Sequence, residues 1–555
     1  MLLNDALADL VQQAILAAQA AGDLPAFELP EPLVDHPRDP QFGDYATNTA
    51  MQLARVARMP PLKIAQTLTR HFPAADWLAG VEVAPPGFIN FRLAQPFVQQ
   101  VVDEILRAGP RFGYLTLGAG KKVQVECVSA NPTGPITLGR TRGGVIGDTL
   151  ARLLRAAGYD VTLEYYYNDA GRQIALLGES VKIRYRQLCG DSAELSDEHY
   201  QGDYILDIAR RLYHAHGRAL LDQPDDFFGE YAKAVISEQQ RASLRRVNIV
   251  HDVYYNEQDL YTSGRLDEAL AALKHNGYVY QTDDGAQWLR TTAFGDDQDR
   301  VLIRSVDGLP TYRMPDIAYH FHKAQRGFDL VVDIFGPDHH AVAPQVLMGV
   351  QALGFDTGFV HTLLHQIVNL IRDGQKVKMS TRRGVYVTLD ELVDEVGSDS
   401  VRYYMLARSP NSHVDFDLNL AVEHSDKNPV YYIQNAHVRC AGIFRKWAEA
   451  GLPPHADDNA DLSLLTHPAE LAFLRQALKL GEIITGVAQT REPHPIAFYA
   501  YELATLFHTV YEECRVLHSE VPDDLRLARL RFYRAAKQLL AQVLGLMGMS
   551  APEVM

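Results

Sequence analysis

The residues most suited to chemistry lie in Val123-Gln-Val-Glu-Cys-Val-Ser-Ala-Asn-Pro-Thr-Gly-Pro-Ile-Thr-Leu-Gly-Arg-Thr-Arg-Gly-Gly-Val-Ile-Gly-Asp148, which reads as a buried strand, a Gly/Pro turn and a helix start. A helix N-terminus exposes unpaired N–H groups and a partial positive charge, so this order of elements suits a phosphate. A second cationic stretch, Lys376-Val-Lys-Met-Ser-Thr-Arg-Arg-Gly384, stands far along the chain. It follows a strand-like run, His361–Leu370, and precedes a helix start marked by Thr388 and Glu391 at capping-box spacing. Such a loop can fold over a triphosphate and neutralise the charge that develops as pyrophosphate leaves; taken alone it is equally a basic surface turn.

These stretches need a scaffold, and the pattern between about 116 and 425 supplies one. Apolar strands at Val123–Ser129, Val161–Tyr167, Leu330–Phe335 and His361–Leu370, with a helix from Arg142 to Ala157, predict an α/β catalytic domain with a Rossmann-like, doubly wound parallel sheet. Ligands of such sheets bind beyond the carboxyl ends of the strands, where the opening stretch lies. Helices and a hairpin near Tyr278–Leu289 predict an insertion over about 175–295. Residues 1–115, with helical patterns at Asn4–Ala21 and Asn48–Arg58 and a strand at Gly87–Leu93, predict an N-terminal α+β domain; the catalytic domain spans 116–427 and an all-helical domain 428–555.

Composition narrows the function classes. With 555 residues and 47% hydrophobic content, the chain has room for several ordinary cores. It has no apolar run near the ~20 residues of a membrane helix and no signal-peptide pattern, so cytoplasmic residence and no membrane partner are expected. The four cysteines, Cys127, Cys189, Cys440 and Cys514, lack metal or disulfide spacing, and no metal site is expected. The net charge of −16 argues against nonspecific nucleic-acid binding, so any RNA contact must be local. Arg439, Arg445 and Lys446, then Arg526, Arg529, Arg531, Arg534 and Lys537, form basic runs that are either a solvated helix face or an RNA backbone surface.

The two chemical stretches together resemble the arginyl-tRNA synthetase family of class I aminoacyl-tRNA synthetases. The likeness extends over Ser129-Ala-Asn-Pro-Thr-Gly-Pro135, Tyr167-Asn-Asp-Ala-Gly171, Arg300-Val-Leu-Ile, Asp316-Ile-Ala-Tyr-His320, Gly336-Pro-Asp-His-His340, Asn428-Pro-Val-Tyr-Tyr432 and Gly548-Met-Ser-Ala-Pro-Glu553. The first domain, with Phe42-Gly-Asp-Tyr-Ala46 and Gly87-Phe-Ile-Asn-Phe91, resembles the family's domain that touches the tRNA elbow, and the helical end its anticodon-binding domain.

The resemblance implies an arginine pocket made of Glu126, Asn131, Tyr312 and Asp316. Carboxylates suit a planar, permanently charged guanidinium, although either acid could instead be a core-edge residue pairing with an Arg of the protein. It implies ATP contacts at Ser129, Ala130, Pro132, Gly139, Arg142, Gly143, Gly336, Asp338, His339, Lys378 and Met379, and tRNA contacts at Phe88, Asn90, Tyr432, Gln434, His437 and Arg439. His339 and His340 alone make a poor metal pair. Catalytic roles fall to Thr137, Gly139, Arg140, Lys378, Ser380 and Arg382. Magnesium is expected with ATP, arginine-specific tRNA as partner, and a monomer.

The likeness carries a departure. Class I synthetases have His-Ile-Gly-His in the opening turn, and this chain has Thr137-Leu-Gly-Arg140, with Thr381 where the second signature has a lysine. Arg140, Arg142, Arg382 and Arg383 are permanent cations that could restore the missing charge. Arginine–tRNA ligation is therefore the expected activity; the alternatives are a paralogue that only binds or regulates through tRNA, and an adenylating enzyme that hands arginine elsewhere.

Overall fold

The computed structural model describes residues 2–29, 31–337, 342–377 and 387–555. Its centre is a five-stranded parallel sheet in the order Val360–Leu364, Leu330–Phe335, Lys122–Glu126, Asp160–Tyr167, Val253–Asn256. The first strand in sequence is therefore the middle one in space, and the order reverses beside it, which opens a crevice at the carboxyl ends. Val123 to Glu126 are all buried, as a strand covered on both faces requires.

The helix Leu138–Ala156 crosses from the first strand to the second. It begins a turn earlier than Arg142, so Thr137 is its N-cap and Gly139 and Arg140 lie in its first turn. Glycines let it lie directly on the strand end. A Cβ on Gly147 would sit 2.5 Å from the Cβ of Cys127, and one on Gly144 would sit 2.9 Å from a methyl of Val128.

Two further expectations need correction. The run His361–Leu370 is not one strand: Val360–Leu364 ends the parallel sheet, while Val368–Arg372 joins Gln375–Lys376 and Val414–Asp417 in another. The chain leaves the first sheet at Gln366, whose N–H donates to Pro410 O and whose carbonyl accepts from Arg142. Within 175–295, which was expected to interrupt the sheet, Val253–Asn256 supplies its edge strand. Four residues are too few for a readable period. The hairpin is present as Val279–Gln281 paired with Gln287–Leu289.

In the N-terminal region a four-stranded antiparallel sheet runs Val34–Asp35, Tyr45–Thr47, Phe88–Leu93, Leu78–Ala84. The next helix, Gln95–Ala108, packs against Pro468–Leu478 and Asp523–Leu546 of the C-terminal bundle. No strand occurs among the described residues after Asp417. The basic run of the last helix is neither a free solvated face nor an open RNA surface, because Arg529 pairs with Glu470, Arg531 with Asp103, Arg534 with Asp457 and Lys537 with Glu553. These pairs tie the helix to the rest of the bundle and to the helix Gln95–Ala108.

Candidate active site

The turn after the central strand is held by side chains of other elements that donate to its backbone carbonyls. Val128 and Ser129 adopt φ of +72° and +41°, conformations that a β-branched residue in particular avoids. Surrounding groups over-determine that shape, as strained functional turns require. Tyr165 Oη donates to Ala130 O, Gln240 donates to Asn131 O and Gly134 O at 2.9 and 2.7 Å, and Tyr204 donates to Thr133 O. The helix that follows has no side-chain cap at Thr137 and no acid in its first turn. Its first N–H groups and its dipole therefore remain available to an anion.

Three cavities converge here. One of about 250 Å³ is bordered by Glu126, Ser129, Asn131, Tyr312 and Asp316 together with Glu257. A second, of about 440 Å³, lies between the turn residues Ala130 to Thr137 and residues 197–204 of the insertion. A third, of about 140 Å³, is bordered by Thr137, Gly139, Gly143, Gly336 and Ile334. Arg140 borders all three. Its guanidinium donates to Val128 O at 3.1 Å, and among the described residues no carboxylate pairs with it.

The first cavity is strongly acidic. Beneath it the fully buried Lys323 donates to Glu126 Oε2 and Asp333 Oδ1, both at 2.6 Å. Burial would lower its pKa, but Asp333 and Glu126 hold it above the ordinary lysine range. Ser129 donates to the other oxygen of Glu126, and His320 bridges Asp333 Oδ2 and Asp316 O. Two carboxyls carry no such cation. Burial, with Glu126 and Asp333 nearby, raises Asp316 to about 7 against the pull of His320 and Lys323. Burial, with Asp316 and Asp169 nearby, raises Glu257 to about 7 despite its bond from Tyr166 Oη.

The expected arginine residues Glu126, Asn131, Tyr312 and Asp316 thus meet in one cavity. Sequence reasoning missed Glu257, Lys323 and Gln240, and only the Tyr-rich run before Glu257 hinted at a buried edge. Among the expected ATP contacts, Ser129 faces the acidic cavity, Ala130 the second, and Gly139, Gly143 and Gly336 share the third. Pro132 is buried and borders none of the three.

Arg142 does not reach a ligand with its side chain. Its guanidinium is buried and donates to Gln366 O, Ser412 O and Ser409 O at 2.6 to 3.0 Å. It therefore fixes the wall of the third cavity at Gln366. Asp338, His339, Lys378, Met379, Ser380, Thr381, Arg382 and Arg383 lie outside the described residues. The capping box that follows them is present: Thr388 accepts from Glu391 N, and Glu391 accepts from Thr388 N. Leu389 N also donates to Ile136 O, which joins this helix start to the first signature.

The expected RNA contacts separate into two groups. Phe88 and Asn90 border a groove of about 470 Å³ with Leu33, Arg38 and Phe42. Tyr432 packs against Tyr501 and His508, and Arg439 lies over the Tyr511 ring. Gln434 and His437, by contrast, are buried against the protein's own C-terminal segment. Gln434 donates to Asp399 and Ser550, and His437 contacts Pro552 O at 2.7 Å, so both secure the chain's C-terminal segment. Among the described residues, no cluster of three or more His, Cys, Asp or Glu could hold a metal ion, and no helix is long and apolar enough to cross a membrane.

Three family models match successive stretches. Residues 5–93 match the arginyl tRNA synthetase N terminal domain, 101–407 the class I (R) tRNA synthetase catalytic domain, and 433–555 the DALR anticodon binding domain. The chain is 45% identical to the arginine–tRNA ligase of Salinibacter ruber, covering 97% of this chain and 98% of that protein. It is 40% identical to that of Bacillus subtilis, covering 100% and 99%. The structure superposes on a putative arginyl-tRNA synthetase from Campylobacter jejuni with TM-score 0.77 and 31% identity, covering 83% of this chain and all of that one. The Thermus thermophilus arginyl-tRNA synthetase, at 24% identity and TM-score 0.76 with both chains fully covered, shares the fold. With every domain matched in order, the chain belongs to the arginyl-tRNA synthetase family.

Proposed function

We infer that the chain is an arginine–tRNA ligase in which arginine, ATP and the tRNA 3′ end meet at Arg140. Family membership supports the overall reaction; the convergence of three cavities on that cation, at the carboxyl end of a parallel sheet, supports the assignment of roles. Arginine-dependent pyrophosphate exchange with and without arginine-specific tRNA, followed by acid-precipitable charging, tests the activity. No exchange in either condition overturns it.

The charge pattern orients the amino acid. Its guanidinium lies with Asp316, Glu257 and Tyr312, while Glu126 and Asn131 hold the α-amino end and the carboxylate faces Arg140. That carboxylate attacks the α-phosphorus of ATP, and pyrophosphate leaves. The uncapped helix start, Gly139 and Gly143 border the phosphates, and Gly336 the adenosine side. The tRNA's terminal hydroxyl then attacks the carbonyl carbon of arginyl-adenylate, forming the ester and releasing AMP. No protein nucleophile takes part, so alignment and charge stabilisation carry the rate. Magnesium accompanies ATP as its counterion, and the segment holding Lys378, Ser380 and Arg382 acts on the pyrophosphate. The tRNA elbow meets the groove at Phe88 and Asn90, and its anticodon meets Tyr432 and Arg439. The chain acts as a cytoplasmic monomer.

Proton linkage follows from the two unpaired carboxyls. In the empty pocket Asp316 and Glu257 titrate near 7, and a guanidinium beside them must lower both values. Arginine binding therefore releases protons below about pH 7, and affinity rises with pH through that region before levelling off above about 8. Calorimetry in buffers of different ionisation enthalpy at pH 6.5 measures the release. No net proton release there would remove this clamp.

A further inference from the structure

The motif Phe42-Gly-Asp-Tyr-Ala46 lies in the unit whose groove is proposed above to meet the tRNA elbow, yet its polar side chains are committed elsewhere. Tyr45, 1% exposed, donates its hydroxyl to Glu482 Oε1 at 2.7 Å. The other oxygen of Glu482 lies 2.7 Å from His36 Nε2, and His36 Nδ1 lies 2.8 Å from Asp44 O. Asp44 itself accepts from Leu93 N and from Arg475 Nε, each at 2.7 Å. Gly43 is needed for this arrangement: its φ is +107°, and a Cβ there would lie 2.6 Å from Phe91 O.

Glu482 and Arg475 belong to the C-terminal helices Leu480–Thr490 and Pro468–Leu478. Two carboxylates, one from each side, therefore join the N-terminal sheet to the helical bundle. Burial, and then the Glu482 carboxylate, hold the Tyr45 phenol well above its ordinary range, so it remains a donor. The helix Leu480–Thr490 also packs against the signature helix Leu138–Ala156. The residues that border the N-terminal groove include Phe42, Ala46 and His36, immediately beside the latch, but not Asp44 or Tyr45.

We propose that Asp44, Tyr45 and Glu482 are positioning residues that latch the N-terminal groove at a fixed reach from the helical bundle and the catalytic helix, so that elbow and 3′ end of one tRNA are engaged together. The latch deepens the tRNA reading above and rests on it. When the latch opens, only the closed fraction can engage both ends, so apparent tRNA affinity falls by that fraction.

Tyr45→Phe and Glu482→Gln, singly and together in the full chain, test this with intact arginine-accepting tRNA and with a transcript lacking its D arm. The double variant should raise KM for intact tRNA about tenfold, with kcat and arginine KM within about twofold and the shortened transcript charged as by wild type. Limited proteolysis without RNA should show faster cleavage between the N-terminal sheet and the bundle. Unchanged KM for intact tRNA overturns the proposal, as does a parallel rise in arginine KM with a lowered Tm. A wild type that charges no tRNA would refute the activity instead, and unchanged proteolysis would still refute the latch.

Discussion

Replacing Arg140 with alanine is expected to slow arginyl-adenylate formation by about 10²- to 10³-fold, the usual cost of removing one positioned donor to a developing charge. Arg140 borders the acidic cavity, the third cavity and the space toward the insertion; with arginine and ATP placed as proposed above, the pentavalent α-phosphate forms within its reach. Its bond to Val128 O anchors the guanidinium to a turn whose strained backbone is held by Gln240, Tyr165 and Tyr204. Anchored in this way, it needs little reorganisation as charge develops. Pyrophosphate exchange under saturating arginine measures the loss, and an unchanged rate would show that the helix dipole and the second signature suffice. The paired change Thr137→His and Arg140→His installs the two histidines that the resemblance implies at this turn. It should retain at least about a tenth of the exchange rate, because either set supplies donors at the same helix start.

The scaffold was largely legible because the strand at Val123 and the turn beyond it obey local rules: a continuous apolar run, Gly and Pro punctuation, and a capping box at Thr388. What escaped depends on contacts distant in sequence. Arg142 stands near a helix start whose sequence suits a phosphate and reads as a ligand, yet the carbonyls that hold it come from Gln366, Ser409 and Ser412. Gln434 and His437 lie on a helix within the stretch that matches the DALR anticodon binding domain, but the C-terminal segment covers them. Glu257 follows a four-residue edge strand, too short to be read, and reaches the pocket only because that strand lies parallel to Asp160–Tyr167. The cations of the last helix resemble an RNA surface until their partners Glu470, Asp103 and Asp457, from other helices and loops, are placed. Sequence periodicity reports which face of an element is buried, and not which element buries it.

The largest stability effect is expected at the buried cation beneath the acidic cavity. Lys323→Met should destabilise the fold by about 3–5 kcal/mol, because Glu126 and Asp333 would be left as buried carboxylates without their shared cation. The sign with pH follows from the titration. Burial raises Asp333, but Lys323 and then His320 outweigh it and hold its carboxyl well below the ordinary range. Wild type therefore keeps this contribution above the unfolded carboxylate pKa of about 4 and loses it as pH falls further. In the variant Asp333 keeps its burial but loses the cation that offset it, and protonation relieves that cost, so the stability gap should be widest near neutral pH and narrow as pH falls toward about 4. Denaturant unfolding across that range measures it, and a pH-independent gap would mean that only packing was lost. The triple change Glu126→Gln, Lys323→Met and Asp333→Asn separates charge balance from function. Neutralising the whole group should restore most of the stability, since a buried ion triad contributes little beyond its own desolvation. Arginine affinity should stay weak, because Glu126, the carboxylate that Ser129 and Lys323 orient beside the pocket, would be gone. A triple variant that recovered both would reassign Glu126 to folding alone and leave Asp316 and Glu257, the proposed guanidinium partners, as the whole of the amino-acid recognition.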